Sequence, residues 1–533
     1  MQHIIAYDFG TTGVKTCLFA VDGGIRMVSS AYAPYGLYIR QDGGAEQDAE
    51  EWWSAMCRTT RAAMEASDLA PEAVTGISFC SQMQGMVLVD EDANALRRPM
   101  SYMDQRAGAE FRACQTHGLT ISGVNAGMML RSLAATHAAS TSVKDPLWKY
   151  KWVQAHEPVV FQKAHKWLDV KEYLIARCTG EFVMTRDSAY STFLYDTRPG
   201  HEGWNDSLCK MYGVEPRHLP RIIECRDVAG TLTAKAAAEL GLCEGTPVYG
   251  GGGDATLIGV GAGATEVGQT HIYSGTSGWV GTVMDHQAVD VVAMMAGIVG
   301  AERGKYNYFA EMETAGKCFE WVKDHLVLDE VNVYLAKTDV AESRETVYES
   351  LYDYMSDTVE QVAPGSGGVI FTPWLHGNRC PFEDPAAAGM FFNLRLETGK
   401  AQMLRAVLEG ICFHLRWMLE VQEKKTKTSD PIRFVGGGAL SKVTCQMMAD
   451  ITGRTVETVE NTKDVGAIGA AMLAAVGSGE FASLQEAAGL VRVNGTYRPD
   501  PANKAVYDRN FRVFRKLYAA NRENFAMLNR TEG

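Results

Sequence analysis

Several segments of this 533-residue chain carry the residue types that moving a phosphoryl group demands. Such a transfer needs cradles for phosphate oxygens, a divalent cation, and a group that orients or deprotonates the attacking hydroxyl. Asp8 ends the strand-like run that begins Ile4-Ile-Ala-Tyr7. The turn Gly10-Thr11-Thr12-Gly13 follows, with Lys15 just beyond. A carboxylate placed there either holds Mg²⁺, largely through water, or merely opens a turn. Asp254 follows four glycines, Gly250 to Gly253, and precedes the helix-like Ala255–Gly261. It reads as a helix N-cap or as a base that draws the proton from a hydroxyl nucleophile. Four consecutive glycines are costly to order, so the run marks backbone that passes close to another group. Gly436, Gly437, Gly438 and Ala439 form a turn between a strand-like and a helix-like segment, open enough for a flat base or ribose. The GxxxxGK[ST] spacing of a P-loop is missing. A second glycine run, Gly259-Val-Gly-Ala-Gly263, falls inside or after a helix, whereas a dinucleotide-binding turn lies between strand and helix.

The elements that must position these residues alternate between strand and helix signals, as in the helix-like Ala49–Ala66 and the strand-like Val74–Phe79. That alternation predicts α/β architecture. An internal echo adds to it. Ala6–Ala20 and Ile272–Met284 each read as an apolar strand, a Gly/Thr/Ser turn and a second apolar strand. Two such hairpins, each opening about half the chain, suggest a duplicated lobe with a phosphate clamp between the copies. The lobe boundary is placed near Val248, giving lobes over 1–248 and 249–480 and a helical extension over 481–533. The charge run Glu423–Asp430 reads as a solvated helix end. A net charge of -13 argues against a nucleic-acid surface, where affinity comes from Lys and Arg on phosphates. It does not exclude a nucleotide, since backbone N–H groups hold phosphate without adding charge. The 12 cysteines never fall at CxxC spacing and read as single thiols in a reducing compartment. The first residues lack the pattern of a signal peptide, and the apolar stretch Val291–Ala301 is too short to span a bilayer. A soluble, cytoplasmic protein with no membrane partner is therefore expected.

Taken together, these segments resemble the FGGY carbohydrate kinases, and among them most the xylulose kinases, within the superfamily of hexokinase, actin and the heat-shock chaperone ATPases. The resemblance runs through Asp8–Lys15, Gln47–Trp53, Gly76–Gly85, Gly251–Asp254, Ser274–Gly278, Gly316–Trp321, Leu408–Ile411, Gly436–Ala439 and Asp464–Ala471. It implies two actin-like, ribonuclease H-like lobes with an ATP and sugar cleft between them. It further implies an enzyme that moves the γ-phosphoryl of MgATP onto a sugar hydroxyl. At the matching positions, Asp254 would be the catalytic base and Asp8 the metal-side carboxylate. Gly10, Thr11, Thr12 and Lys15 would surround the phosphates, with Gly275 and Thr276 in a second phosphate loop. Gly316, Gly437, Gly438, Ala439 and Lys442 would bind the nucleotide. Gln82, Met83 and Gln84 would meet the sugar beside Asp254, and Asp104 and Arg106 would either line the same pocket or form a surface ion pair. Oligomeric state stays open, a homodimer included.

The chain departs from the xylulose-kinase pattern at several informative places. Gln82-Met-Gln-Gly85 stands where Gln-Met-His-Gly is usual, and Gly377-Asn-Arg-Cys-Pro381 stands where Gly-Glu-Arg-Thr-Pro is frequent. Glutamine donates and accepts through its amide but cannot become a cation. A ketopentose leads as substrate, with another ketose or a polyol open. Two other readings compete with the kinase: an ATP-driven binding module of the chaperone or actin type, and an NAD-dependent dehydrogenase.

Overall fold

The computed structural model describes residues 1–121, 124–327 and 351–529. Two large sheets organise it. The first uses β1 (Gln2–Phe9), β2 (Gly13–Val21), β3 (Ile25–Pro34), β4 (Val74–Ser81), β5 (Val228–Thr231) and β6 (Pro247–Tyr249) in the spatial order β5-β6-β4-β1-β2-β3. A two-residue β7 (Gly252–Gly253) pairs beside β6 on β4. The expected boundary at Val248 thus falls within the last strands of this sheet. The second sheet uses β8 (Thr270–Ser274), β9 (Gly278–Met284), β10 (Val289–Asp290), β11 (Met295–Val299), β12 (Tyr306–Met312), β13 (Ile432–Val435), β14 (Val456–Val459) and β15 (Val493–Tyr497). Their order is β10-β11-β12-β9-β8-β13-β14-β15.

The echo read in the sequence is topological. β1 and β8 each form a tight antiparallel hairpin with the next strand and a parallel pair with a later one, β4 and β13. Each hairpin turns over three residues, Gly10–Thr12 in one and Gly275–Ser277 in the other. The inward faces are near-continuous apolar runs, as in sheets covered on both sides. β2 is almost wholly buried, and so is β9.

Among the helices, α1 (Ala49–Ser67) is capped by Asp48 and lays Trp52, Met56, Thr59 and Ala63 along one face, at the helical spacing that makes a stripe. Further helices used below are α2 (Pro146–His156), α3 (Val170–Thr179), α4 (Arg186–Ser191), α5 (Asp254–Gly261), α6 (Gly316–Val322), α7 (Lys400–Gln422), α8 (Lys442–Thr452), α9 (Val465–Gly477) and α10 (Lys504–Asn529). α5 leaves the first sheet and α9 the second, and the two cross between the sheets. A Cβ on Gly261 would stand 1.8 Å from the Val465 carbonyl oxygen, and one on Gly469 2.4 Å from that of Leu257. The helices therefore touch backbone to backbone. α9 is buried nearly all round, as its composition of Ala, Gly, Val, Ile, Leu and Met requires.

The segment after residue 480, expected to be helical, also supplies a strand. β15 pairs antiparallel with β14, before α10 packs on α7 and α8. Among the described residues no helix is long and apolar enough to cross a membrane.

Candidate active site

The first glycine turn is braced from several sides. The Gly10 N–H donates to the Gly13 carbonyl at 3.0 Å. The Tyr35 hydroxyl donates to the Gly10 carbonyl at 2.5 Å, and the Gln47 side chain to the Thr11 carbonyl at 2.6 Å. Thr11 Oγ1 lies 3.3 Å from the Tyr102 hydroxyl, and Thr12 is exposed at the tip. Asp8 and Lys15 are cross-strand partners on β1 and β2, yet the Lys15 ammonium goes elsewhere. It sits 2.7 Å from Asp464 Oδ1 and donates to the Lys463 carbonyl at 2.8 Å, tying the first sheet to the start of α9. Burial lifts the Asp8 carboxyl above its usual value, and the Lys15 charge only partly offsets this. A Cβ on Gly466 would stand 2.8 Å from Asp8 Oδ2, so α9 begins directly over this carboxylate.

The second turn is fastened to α6. The N–H groups of Ala315 and Lys317 donate to the Thr276 carbonyl at 3.0 and 3.2 Å, and that of Gly316 to the Gly275 carbonyl at 2.8 Å. A side chain on Gly316 would collide with that carbonyl, so the glycine serves close approach. Gly436 adopts φ 92° where a Cβ would meet the Ser274 carbonyl at 2.7 Å. Gly438 packs on the Ser274 side chain, and Ala439 is buried. Around Gly437 the nearest outside atom to a Cβ position is that same carbonyl at 4.0 Å, which leaves one face of the turn clear. Lys442 is exposed at the first turn of α8. Gly275, Thr276, Gly316 and the Gly436–Ala439 turn are thereby brought together at the ends of the central strands β8 and β13 of the second sheet. The other glycine run, Gly259–Gly263, lies at the end of α5, as the sequence indicates.

Asp254 is the first residue of α5. Gly253 occupies the N-cap position, so the carboxylate does not cap this helix. Its Oδ1 accepts the Ala255 N–H at 2.8 Å, and Asn307 of β12 donates to the Ala255 carbonyl at 2.8 Å. Burial lifts the Asp254 pKa to about 8. The Ala255 N–H pulls it down, while the negative fields of Asp8, Glu311 and Asp169 push it further up. A carboxyl poised near neutral pH is suited to receiving a proton.

The Gln82–Gly85 segment turns where β4 ends. Gln84 takes φ 62°, so Met83 and Gln84 do not continue the alternation of the strand. Met83 lies on Gly253, where a Cβ would come within 2.1 Å of its sulfur. Asp169 accepts the N–H groups of Gln84 and Gly85 at 2.8 and 2.9 Å, and the buried Lys149 of α2 donates to the Gln84 carbonyl at 2.7 Å. Gln82 is placed differently. It is buried and donates to Gln47, which in turn holds Thr11.

Asp104 and Arg106 do form an ion pair, but a buried one rather than one at the surface. Their contact is 2.7 Å, and their side chains are 0% and 4% exposed. Asp104 also accepts the Ala45 N–H, while Arg106 pairs with Glu46 and lies 4.6 Å from the centre of the Trp152 ring. Two ion pairs that nothing in local spacing signals stand on the second sheet's side, Arg379–Glu311 at 3.0 Å and Lys144–Glu313 at 3.2 Å.

The family profiles match this architecture half by half. The N-terminal domain of the FGGY family of carbohydrate kinases aligns with residues 3–261, and the C-terminal domain with residues 271–478. The chain belongs to the FGGY family of carbohydrate kinases. It is 28% identical over 526 residues to a xylulose kinase of Bacillus subtilis (strain 168), covering 98% of each chain. Its structure is similar to that of a ligand-bound xylulose kinase from Lactobacillus acidophilus, with a TM-score of 0.84, 25% identity, and 99% and 100% of the two chains covered. It is also similar to a gluconate kinase from Lactobacillus acidophilus, with a TM-score of 0.82, 25% identity and 98% of each chain covered. This FGGY kinase is an ATP-dependent sugar kinase of actin-like fold, and the readings as a binding module and as a dehydrogenase fall away.

Proposed function

We propose that this kinase transfers the γ-phosphoryl of MgATP to a hydroxyl of a neutral sugar, with a ketopentose such as xylulose as the leading substrate. Asp254 acts as the base, Met83 and Gln84 meet the sugar, and the turns at Gly10–Thr12, Gly275–Thr276 and Gly437–Ala439, with Gly316 and Lys442, surround the nucleotide. The lobes are 1–248 and 249–480, the remainder packing on them. The observation that carries the reading is Asp254 itself, a carboxylate lifted toward neutrality at the start of a buried helix between the two glycine hairpins.

Mg²⁺ fits the donors present. Asp8 is a hard oxygen donor whose burial calls for a neighbouring cation. Among the described residues no group of three or more metal-ligating side chains forms an enclosed cage. That suits an ion held by one or two carboxylates together with substrate phosphates. Bound there, it would neutralise charge on the phosphate oxygens. The residues of the chain itself orient the hydroxyl toward the phosphate, accept its proton at Asp254 and exclude water.

A neutral sugar rather than an aldonate is supported by the charges at the cleft. Arg379 is paired with Glu311, Lys144 with Glu313, and Lys149 is held by the Gln84 carbonyl. With Glu311 and Glu313 occupying Arg379 and Lys144, neither cation is open to a substrate carboxylate. ADP release should therefore depend on D-xylulose, D-ribulose, L-xylulose or a pentitol and remain at background with gluconate. Turnover on gluconate above all four would overturn this assignment. The proposal extends to a cytoplasmic enzyme, and sedimentation of the purified protein distinguishes a monomer from a homodimer.

A further inference from the structure

Beneath the glycine run lies a cluster of charged side chains with almost no access to water. Asp169, Lys171, Glu172, Thr185, Asp187 and Ser188 are each 4% exposed or less. Two short stretches supply them, Asp169–Glu172 at the start of α3 and Thr185–Ser188 at the start of α4. Burying four charges is costly unless each is paired and hydrogen-bonded, so what the cluster holds in place is informative.

The bonds run in one direction. The Lys171 ammonium donates to the Glu172 carboxylate, to Thr185 Oγ1 at 2.5 Å and to Ser188 Oγ at 2.7 Å, which accounts for its three protons. Having accepted from Lys171, the Thr185 hydroxyl donates to Asp187 Oδ1 at 2.5 Å. Asp187 Oδ2 then accepts the N–H of Gly253 at 2.7 Å. Gly253 is the residue before Asp254 and the one on which Met83 rests. At the other end of the cluster, Asp169 accepts the N–H groups of Gln84 and Gly85.

We propose that Lys171, Thr185 and Asp187 form a positioning relay that fixes the backbone in front of Asp254, and that with Asp169 they set the distance between this base and the Met83–Gln84 sugar segment. None of them touches substrate; they act through Gly253, Gln84 and Gly85. The inference rests on Asp254 being the base. The electrostatics agree with it. Burial alone would raise Asp187, but Lys171, the Thr185 hydroxyl and the Gly253 N–H outweigh it and hold the carboxyl below its usual value. An ionised Asp187 is a strong acceptor for that peptide N–H. The relay thus has an uninterrupted donor-to-acceptor sense from ammonium to backbone.

Thr185→Val tests the relay with the least disturbance. It keeps the branched shape beneath Gly250, whose Cβ position is 2.8 Å from the Thr185 methyl, and removes only the hydroxyl. Displacing a reacting group by about 1 Å costs roughly 10²-fold in rate. The variant is expected to lose about 10- to 100-fold in kcat, to raise KM for the sugar, and to leave KM for MgATP within about twofold. Thr185→Ser should restore kcat to within about threefold. Deuterium uptake of the peptide spanning Gly250–Asp254 should rise in Thr185→Val and not in Thr185→Ser. Normal kcat per folded protein in Thr185→Val, with normal uptake, overturns the proposal even if the melting temperature falls. Asp254→Asn run in parallel separates the two readings. A dead Asp254→Asn with an unaffected Thr185→Val removes the relay and keeps the base. An active Asp254→Asn removes the base itself. Lys171→Met and Asp187→Asn serve as further members of the series where they fold.

Discussion

Replacing Asp254 with Asn should inactivate the kinase and at the same time stabilise it. The carboxyl is lifted from its usual 3.8 to about 8, chiefly by burial. Folded protein therefore holds a proton that the unfolded chain releases between about pH 4 and pH 8. Over that window the unfolded state gains charge and hydration as pH rises, so stability falls with pH and levels off above about 8. Asn carries no charge in either state and escapes this penalty. Taken whole, the lift corresponds to about 6 kcal/mol. The side chain is only partly screened from solvent, and an expectation of about 1–2 kcal/mol is more appropriate. For a lobe of this size that is about 2–8 °C in melting temperature. Melting curves of both proteins at pH 4.5 and pH 8.5 should show the Asn variant ahead at the higher pH, with the gap narrowing at the lower. Its sugar-dependent turnover should fall by about 10²–10⁴-fold, the usual contribution of a general base. In the native enzyme, kcat/KM for the sugar should rise with pH up to about 8. A variant that melts below the native protein at pH 8.5, or that keeps more than about a tenth of its turnover, would refute the argument.

Gly261→Ala should destabilise the protein by about 1–3 kcal/mol, because its new methyl meets the Val465 carbonyl and the backbones of α5 and α9 must part; differential scanning calorimetry reads this directly. Asp8→Ala should raise the Mg²⁺ concentration needed for half-maximal rate and lower kcat, as a magnesium titration would show. Gln84→His should reorder kcat/KM among D-xylulose, D-ribulose, L-xylulose and a pentitol while leaving KM for MgATP nearly unchanged, since a site that hydrogen-bonds its substrate rejects mismatched analogues sharply.

Local pattern made the hairpins legible and singled out Asp254, the proposed base. Gly10–Gly13 and Gly275–Gly278 announce their turns through composition, and Asp254 stands out by following four glycines. Even the break after β4, which brings Met83 against Gly253, follows from asking how neighbouring residues could face one sugar. Contacts set by tertiary approach were not legible. Lys15 sits on β2 beside Asp8, and nothing nearby indicates that its ammonium reaches Asp464 across 449 positions of sequence. Nothing in the spacing of Gln82 announces its hydrogen bond to Gln47, just before α1. Asp104 and Arg106 are two residues apart in a loop, a spacing common on surfaces. They are buried because Glu46 and Trp152 arrive from distant segments. β15 was missed because Val493–Tyr497 holds Asn, Gly and Thr, and its strand character comes from the edge of β14 that it completes.

The crossing of α5 and α9 has a bearing on how this enzyme can diversify. Where side chains mesh, a contact can be graded, a methylene added here and removed there. Here main chain meets main chain, and glycine has nothing left to remove, so substitution can only push the helices apart. The crossing is effectively a fixed axle. Variation in the coupling of the two halves is left to the rim, where Lys15–Asp464 and Lys144–Glu313 join them through partly exposed charges. Such pairs are weak, interchangeable and sensitive to salt. A lineage of such kinases could therefore retune how readily its halves engage, and which sugar it accepts, without disturbing the axis on which they are mounted.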